Sequence, residues 1–426
     1  MTMKYWLRTR GSALITSPLY RDARRRKAAL QRRLRGEQAE VQYFHQADDP
    51  YSDLAVRALP HLAENYAIKL VPHLVPAPDA AAAPELQRLV DWSLRDAADL
   101  ASALKLTPLP WQRAPADNAV TQAQATLAGI TNAHEFAAAA AGIRDAFNGL
   151  TEMNNAASGD APAALAEGKA LREKLGHYLS ATFYFEGEWY WGLDRLPYLE
   201  QRLRPLSKKN VAPFVARLEA PMQPGLLNRR ALLDLYLSFR SPYSWIVLPR
   251  VIALAKLYDA RLRLRFVLPM VMRGLPIPNA KRFYIVSDTK REAERVGLPF
   301  GLIADPVGKP TERGLAVLHH AIQQGKGDAF AMSFMRGVFA QGISARSDEG
   351  LLRLCQRAGI DAAQMHTALA DPSWRTVAEA NREEMFTHGI WGVPAFRVDE
   401  GSAHWGQDRL WLLEKQLQAA AAGTVD

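Results

Sequence analysis

The alternation of apolar and polar residues divides the second half of the chain into short strands and long helices. An apolar run, LLDLYLSF, ends at a Ser-Pro turn, and a helical segment, YSWIVLPRVIALAKLY, follows it. The next run, RLRLRFVLP, alternates charged and apolar residues, which is typical of a strand. A helical middle extends from about Lys281 to Gly389, and a strand (PAFRV), a short return strand (AHWG) and a last helix (DRLWLLEKQLQAAAA) follow. The pattern predicts an α/β domain.

The first half of the chain repeats this pattern. Residues 41–75 resemble residues 233–267 without a gap, at a constant offset of 192 residues, and both contain Pro-Tyr-Ser. A second pair of similar segments begins at Ser180 and at Pro394, at an offset of 214 residues. Because the two matched blocks stand in the same order, we infer a duplication whose second copy has gained a net 22 residues in its middle.

The repeat divides the chain into four segments. They are a basic N-terminal arm at residues 1–37, a first domain at 38–205, a linker rich in proline and basic residues at 206–229, and a second domain at 230–421. Strand-helix-strand followed by strand-strand-helix, with helices inserted between, resembles the thioredoxin fold with a DsbA-type insertion. We therefore predict an α/β fold of two tandem thioredoxin-like domains, each with a helical insertion.

The positive charge of the chain is concentrated in the arm. The net charge is +9, but residues 1–36 hold eleven Lys or Arg against one acid, Asp22, and sum to +10. Such an arm has the charge to contact nucleic acid or an anionic surface, but we favour a solvated helix packed beside the first domain. The sequence has no run long enough to span a membrane and no secretory signal, so we expect a cytoplasmic protein.

The single cysteine, Cys355, restricts the chemistry. One thiol excludes an intramolecular disulfide, a cysteine zinc cage and a dithiol redox couple. Cys355 lies in EGLLRLCQRAG, a helical segment with apolar periodicity, where a lone cysteine is usually a small buried hydrophobe. We expect no bound metal and exclude a dithiol-disulfide oxidoreductase.

Ser241-Pro-Tyr-Ser244 stands where the first strand of the second copy passes into its helix. Proline suits the first helical turn, so Ser241 is placed at the N-cap, beside the positive end of the helix dipole. A helix N-terminus can lower a thiol pKa from about 8.5 to roughly 3.5–7.5. A serine cannot exchange disulfides, but it can donate a hydrogen bond to the thiolate of an exogenous thiol. The alternative is an ordinary Ser-Pro helix start.

Two further motifs lie near the end of the second copy. Val393-Pro394 precedes a strand, and a cis bond there would leave the Val393 backbone able to pair with a peptide ligand such as glutathione. Gln407 and Asp408 open the last helix, where they can bind an ammonium and a carboxylate. With Ser241, these residues predict a site for a thiol peptide.

The motifs SPYSW, PNAKRFYIVSDTKREAERVGLPFG, GVPAF and WGQDRL resemble those of the 2-hydroxychromene-2-carboxylate isomerase and kappa-class glutathione transferase family, over about 190 residues. The resemblance implies that Ser241 positions or activates the glutathione sulfur, that Val393 binds the glutathione backbone and that Asp408 binds the γ-glutamyl end. Further expected glutathione-binding residues are Ser244, Trp245, Pro394 and Gln407. Expected substrate-binding residues are Tyr243, Asn279 and Lys281.

The first copy lacks this chemistry. Its motif begins with Asp49, whose carboxylate would repel a thiolate, and Ser180 stands at the position of Pro394. We expect a degenerate domain that packs on the second as the other subunit of a homodimer would; the alternative is a site for a cationic ligand at Asp49. The predicted function is that of a glutathione-dependent isomerase or transferase for an unsaturated or aromatic small molecule. The alternative is a non-catalytic thioredoxin-fold binding or scaffold protein.

Overall fold

The computed structural model describes residues 3–153, 159–223, 225, 227–275 and 277–423, with side chains from residue 9 onward. The side chains of Lys4 and Arg8 in the arm therefore lie outside the described residues. The chain divides into two compact units. The N-unit comprises Ala23–Leu218 and Pro278–Tyr284, and the C-unit comprises Met1–Asp22, Glu219–Ile277 and Ile285–Asp426.

Helices and short strands make up both units. The strands are β1 Ala39–His45, β2 Ile68–Leu74, β3 Thr182–Phe185, β4 Glu188–Trp191, β5 Leu232–Leu237, β6 Arg261–Phe266, β7 Ala395–Val398 and β8 His404–Trp405. The helices up to the linker are α1 Met3–Ile15, α2 Pro18–Leu34, α3 Pro50–Val56, α4 Leu59–Asn65, α5 Leu86–Ala103, α6 Asp117–Leu127, α7 Ala133–Phe147, α8 Ala161–Lys174 and α9 Gly192–Leu203. The later helices are α10 Pro242–Leu257, α11 Asn279–Arg295, α12 Lys309–Gln323, α13 Gly327–Ala340, α14 Asp348–Gln356, α15 Ala362–Ala370, α16 Trp374–Thr387 and α17 Leu410–Ala422.

Each unit has a four-stranded sheet of the same topology. The order is β2-β1-β3-β4 in the N-unit and β6-β5-β7-β8 in the C-unit. In each sheet the first two strands of this order are parallel and the remaining neighbours are antiparallel. The elements of the C-unit follow the order that the apolar pattern predicts, and α12 to α16 form its helical middle.

The position of a strand in the sheet decides how much of it is apolar. The central strand β5 is buried at every residue but its first, which is expected where helices cover both faces of a sheet. The edge strand β6 is buried only at Leu264 and Phe266 and exposes Arg261. This difference explains why LLDLYL is nearly continuous in apolar residues whereas RLRLRF alternates.

The loop that joins the first strand to the first helix is held by the same hydrogen bond in both units. The Gln46 N–H donates to Ser52 Oγ over 3.2 Å, and the Ser238 N–H donates to Ser244 Oγ over 3.4 Å. Donor and acceptor both differ by 192 residues between the units. The last serine of the shared Pro-Tyr-Ser motif is therefore a structural residue in each unit.

The tyrosine of the motif makes a second equivalent contact. Tyr51 donates to Asp96 Oδ2 over 2.6 Å, and Tyr243 donates to Asp288 Oδ2 over 2.8 Å. The aspartates belong to α5 and α11, and again both positions differ by 192 residues. The constant offset thus extends to Asp288, beyond the stretch in which the sequence resemblance is evident.

A tyrosine and a buried glutamate of the last helix form a third equivalent pair. Tyr66 donates to Glu200 Oε1 over 3.4 Å, and Tyr258 donates to Glu414 Oε1 over 2.9 Å. The tyrosines differ by 192 residues and the glutamates by 214, which are the two offsets of the sequence repeat. Burial raises the pKa of both tyrosines to about 12.

The two glutamates also bind the backbone of the predicted linker. Glu200 accepts the Phe214 N–H over 3.1 Å, and Glu414 accepts the N–H groups of Met222 and Gln223, each over 2.9 Å. A buried carboxylate is stable only with such donors, and these backbone groups need an acceptor in turn. The described part of the linker is therefore bound to the ends of the two units.

The arm consists of two helices, α1 and α2. Ser12 of α1 donates to the Gly301 carbonyl over 2.9 Å and accepts the Ile303 N–H over 3.1 Å. Thr16 is buried against Gly301, where a Cβ would lie 2.3 Å from the threonine Oγ1. Our expectation that the arm packs beside the first domain is thus wrong for α1, which packs on the C-unit. No helix within the described ranges is both long and apolar enough to cross a membrane.

Candidate functional site

Ser241 caps the N-terminus of α10. Its backbone is extended, with φ −88° and ψ 110°, and its Oγ accepts the Ser244 N–H over 3.2 Å. Pro242 stands in the first helical turn, where its missing N–H costs no hydrogen bond. The helix is 16 residues long, and its dipole gives a positive potential beside the half-buried Ser241 hydroxyl.

The Val393-Pro394 peptide lies opposite this helix terminus, and its bond is cis. The Ser241 hydroxyl donates to the Val393 carbonyl over 3.4 Å. Within the described part of the chain, the Val393 N–H has no hydrogen-bond acceptor. A hydroxyl, a helix N-terminus and an unpaired backbone donor therefore meet at one place in the C-unit.

Gly392 packs flat against the indole of Trp405 and fixes the segment before Pro394. A Cβ on Gly392 would lie 2.5 Å from a carbon of that ring, so only glycine fits there. The rings of Trp391 and Trp405 are 4.8 Å apart between centroids. Sequence reasoning assigned no role to Gly392; the available signal is the glycine between a tryptophan and Val393.

Ser244 and Trp245, which the resemblance implies in glutathione binding, have buried side chains. Ser244 is bound to the Ser238 N–H, and the Trp245 indole donates to the Pro299 carbonyl over 3.0 Å. Only 1% of each residue is exposed. Because protein encloses both side chains, a ligand would have to meet their backbone atoms instead.

The three residues expected to bind substrate do not share one unit. Tyr243 stands in the C-unit and donates to the buried carboxylate of Asp288. Asn279 and Lys281 open α11, in the stretch that is part of the N-unit. Lys281 Nζ donates to the Ala82 carbonyl over 2.7 Å, and burial lowers its pKa to about 8. Tyr243 thus shares a unit with Ser241, whereas Asn279 and Lys281 belong to the other unit.

Gln407 and Asp408 lie in a short 3-10 turn before α17. Gln407 is 3% exposed, and its amide donates to Glu292 Oε2 over 3.2 Å and accepts from Arg250 over 3.3 Å. The amide also donates to Asp408, which is half-buried. Protein groups thus enclose the Gln407 side chain, whereas part of Asp408 is accessible.

Cys355 is separate from this chemistry. It is fully buried, and burial raises the pKa of its thiol to about 12, so it is protonated and unreactive at neutral pH. Among the residues that the structure describes, no three His, Cys, Asp or Glu side chains are grouped so as to hold a metal ion. The reactive groups of the site are therefore a serine hydroxyl, a helix N-terminus and backbone atoms.

Residues 232–418 match the family model of the DSBA-like thioredoxin domain. This part of the chain is a DsbA-like thioredoxin domain. None of the curated proteins matches the chain.

Solved structures similar to part of this chain include 2-hydroxychromene-2-carboxylate isomerase and DsbM, a cytosolic disulfide reductase from Pseudomonas aeruginosa. The isomerase is 20% identical, with a TM-score of 0.39, and the match covers 46% of this chain and 100% of that one. DsbM is 17% identical, with a TM-score of 0.35, and the match covers 45% of this chain and 98% of that one. Likenesses of this degree carry no information about activity.

The N-unit has an aspartate at the position that Ser241 holds in the DsbA-like domain. Asp49 caps α3 and accepts the N–H groups of Tyr51 and Ser52, each over 3.1 Å. Ser180 donates to the same carboxylate over 2.8 Å. Burial raises the pKa of Asp49 to about 6, although these hydrogen bonds act to lower it. Donors of its own unit therefore already surround the carboxylate.

Proposed function

We propose that the DsbA-like domain binds glutathione at Ser241 and catalyses a glutathione-dependent isomerisation or conjugation of an unsaturated or aromatic small molecule. The observation that carries the proposal is the 3.4 Å contact between Ser241 Oγ and the carbonyl oxygen of Val393, at the cis bond to Pro394. Glutathione is the main thiol of the cytosol, so the proposal retains the cytoplasmic location expected from the sequence.

Ser241 would bind the sulfur. Glutathione, when bound, supplies a thiol as the nucleophile. The hydrogen bond from Ser241 to Val393 is long, so the hydroxyl can turn to donate to a thiolate instead. The N-terminus of α10 stabilises the same negative charge. A serine forms no covalent bond to the sulfur, and this distinguishes the site from that of a dithiol oxidoreductase.

Val393 and Asp408 would bind the peptide part of glutathione. The Val393 N–H can donate to a peptide carbonyl, because no described group accepts it. The half-buried Asp408 carboxylate suits an ammonium. Gln407 is only 3% exposed whereas Asp408 is half-buried, so we assign the γ-glutamyl end to Asp408 rather than to Gln407.

The duplication is part of the proposal. The shared strand order and the three equivalent hydrogen-bonded pairs at offsets of 192 and 214 residues support a common origin of the two units. The N-unit would have lost the thiol site, because the Asp49 carboxylate stands where Ser241 stands in the other unit and is bound to Ser180. A thiolate there would face a carboxylate instead of a hydroxyl donor.

Calorimetric titration of glutathione at neutral pH tests the proposal. We expect the wild-type chain to bind with release of a proton, and Ser241→Ala to weaken binding by roughly 10- to 100-fold, the value of a hydrogen bond to a charged group. The released protons are counted by repeating the titration in buffers of different ionisation enthalpy. We expect Ser241→Ala to lose most of this release.

Ser347→Ala is the matched control. Ser347 caps α14 and accepts the Gly350 N–H over 3.2 Å, so the variant loses the same kind of cap in the same unit but away from Pro394. Equal weakening in both variants would indicate a general loss of structure and contradict the proposal. No binding to the wild type would favour a non-catalytic binding or scaffold protein.

A further inference from the structure

The arm helix α2 attaches to the N-unit through arginines. Arg25 makes two hydrogen bonds to Glu188, over 2.6 and 2.7 Å, and Arg32 makes one to Glu186 over 2.9 Å. The two arginines are seven residues apart and therefore lie on one face of the helix. Ion pairs, rather than an apolar stripe, bind this face to the protein.

The opposite face of α2 exposes leucines. Leu19 is 83% exposed, Leu30 57% and Leu34 78%. At 3.6 residues per turn, these three side chains and Ala23 fall within an arc of about 60°, on the side away from Arg25. A surface helix normally turns its apolar stripe toward its own protein. The stripe of α2 faces solvent instead.

Basic residues border this stripe on both sides. Arg26 and Arg33 project on one side of the leucines and Lys27 on the other, and all three are exposed. The first 36 residues sum to +10, whereas the rest of the chain sums to −1. Within the arm, α2 holds seven Lys or Arg against Asp22 and contributes +6 of this charge. The outer face thus combines apolar side chains with a cationic border.

We propose that the outer face of α2, defined by Leu19, Leu30, Leu34 and their basic border, binds the surface of an anionic lipid bilayer. Such a surface accepts leucines at the boundary of the headgroups and pairs lysine and arginine with lipid phosphates. The phosphates of a nucleic acid would pair with the lysine and arginine side chains but would leave the leucines in water. This function is independent of the thiol site at Ser241.

Sedimentation of the full chain with vesicles tests the proposal. The vesicles contain phosphatidylcholine alone, or phosphatidylcholine with about one third phosphatidylglycerol, at about 0.1 M salt. We expect binding to the anionic vesicles and none to the neutral ones. Replacing Arg26, Lys27 and Arg33 with Gln should weaken binding about 100-fold, because each Lys or Arg near an anionic surface raises the affinity about fivefold.

Two matched variants separate this surface from general effects of charge and apolarity. The charge control replaces three exposed basic residues outside α2 with Gln, namely Arg113, Lys174 and Lys209. It lowers the net charge by the same three units as the α2 variant. Leu150→Gln removes another exposed leucine, which is 68% exposed. We expect both variants to bind like the wild type, and a double Leu30→Gln and Leu34→Gln variant to bind at least tenfold more weakly.

Several outcomes would overturn the proposal. One is a wild type that does not bind anionic vesicles, or a charge control that loses as much binding as the α2 variant. Another is a leucine variant that binds fully, since the contact would then be electrostatic alone. Binding to mixed-sequence duplex DNA without binding to vesicles would assign the face to nucleic acid. Unchanged thermal unfolding midpoints ensure that each variant is folded, as expected for exposed positions.

Discussion

Asp49 is the residue at which the two units differ most in chemistry. Its carboxylate holds the N-cap of α3, but burial raises its pKa from 3.8 to about 6. Between these values the folded chain retains a proton that the unfolded chain releases. The stability from this proton is therefore complete below about pH 4 and is lost as the pH rises through 6.

Asp49→Asn should stabilise the N-unit at pH 7. Asparagine is also a good N-cap, and it carries no charge at this half-buried position. We expect a gain on the order of 1–2 kcal/mol at pH 7 and little change at pH 4, measured by urea unfolding at both pH values. Asp160→Asn is the control, because Asp160 caps α8 at an exposed position. A destabilised Asp49→Asn at pH 7, or an equal effect at both pH values, would contradict the assignment.

The sequence identifies Asp49 as the residue in the place of Ser241 but does not predict its pKa. That pKa depends on burial, which raises it, and on partners distant in the chain, such as Ser180, 131 residues away, whose hydrogen bond acts to lower it. Contacts between distant residues also decide the role of Gln407. The sequence favoured a ligand-binding role, but in the structure the Gln407 amide is bound to Glu292 and Arg250. Ser241 itself was predictable because its N-cap role depends only on neighbouring residues.

The last helix of each unit does more than cover its sheet. Glu414 of α17 and Glu200 of α9 both bind a tyrosine hydroxyl and backbone N–H groups of the linker. From the sequence, each is one acid in a charged helical segment, and nothing local indicates burial. These acceptors therefore contribute to holding the described part of the linker on the two units.

Tyr258→Phe should destabilise the C-unit by about 1–2 kcal/mol, because a buried carboxylate loses one of its donors. In the variant, Glu414 would still accept the N–H groups of Met222 and Gln223. These amides should nevertheless exchange their hydrogens faster, because a less stable unit opens more often. Urea unfolding and hydrogen exchange measure the two effects. Tyr66→Phe should cost less, because its bond to glutamate is 3.4 Å instead of 2.9 Å long. The reverse order would refute this account.

At the scale of the whole molecule, the chain has one thiol in 426 residues, and that thiol is buried. The sequence predicted both this exclusion of dithiol chemistry and the order of strands and helices, because apolar periodicity and residue counts are local properties. It did not predict that α1 packs on the C-unit. The contacts of Ser12 with Gly301 and Ile303 join residues nearly 300 positions apart, and no periodicity records them.

Treatment with an alkylating reagent should leave Cys355 unmodified in the native chain and the proposed glutathione site at Ser241 unchanged. We expect iodoacetamide to modify the native chain negligibly within hours, and to modify one thiol per chain after unfolding in urea, because the pKa of Cys355 is raised to about 12. Mass spectrometry measures the modification, and a glutathione titration before and after treatment should give the same affinity. Rapid labelling of the native chain, or loss of binding with it, would place a reactive thiol in the mechanism.

If the two units arose by duplication, the two offsets locate the extra length of the second copy. Since the offset is still 192 residues at Asp288 and is 214 at Pro394, the added 22 residues all lie between these positions, among α12 to α16. The four strands of the C-unit and Ser241 lie outside that interval, and Pro394 stands at its end. A lineage can then lengthen these helices while it keeps the strands, Ser241 and Pro394 at their places in the sequence. The size of the domain and its proposed thiol site can then evolve as separate characters.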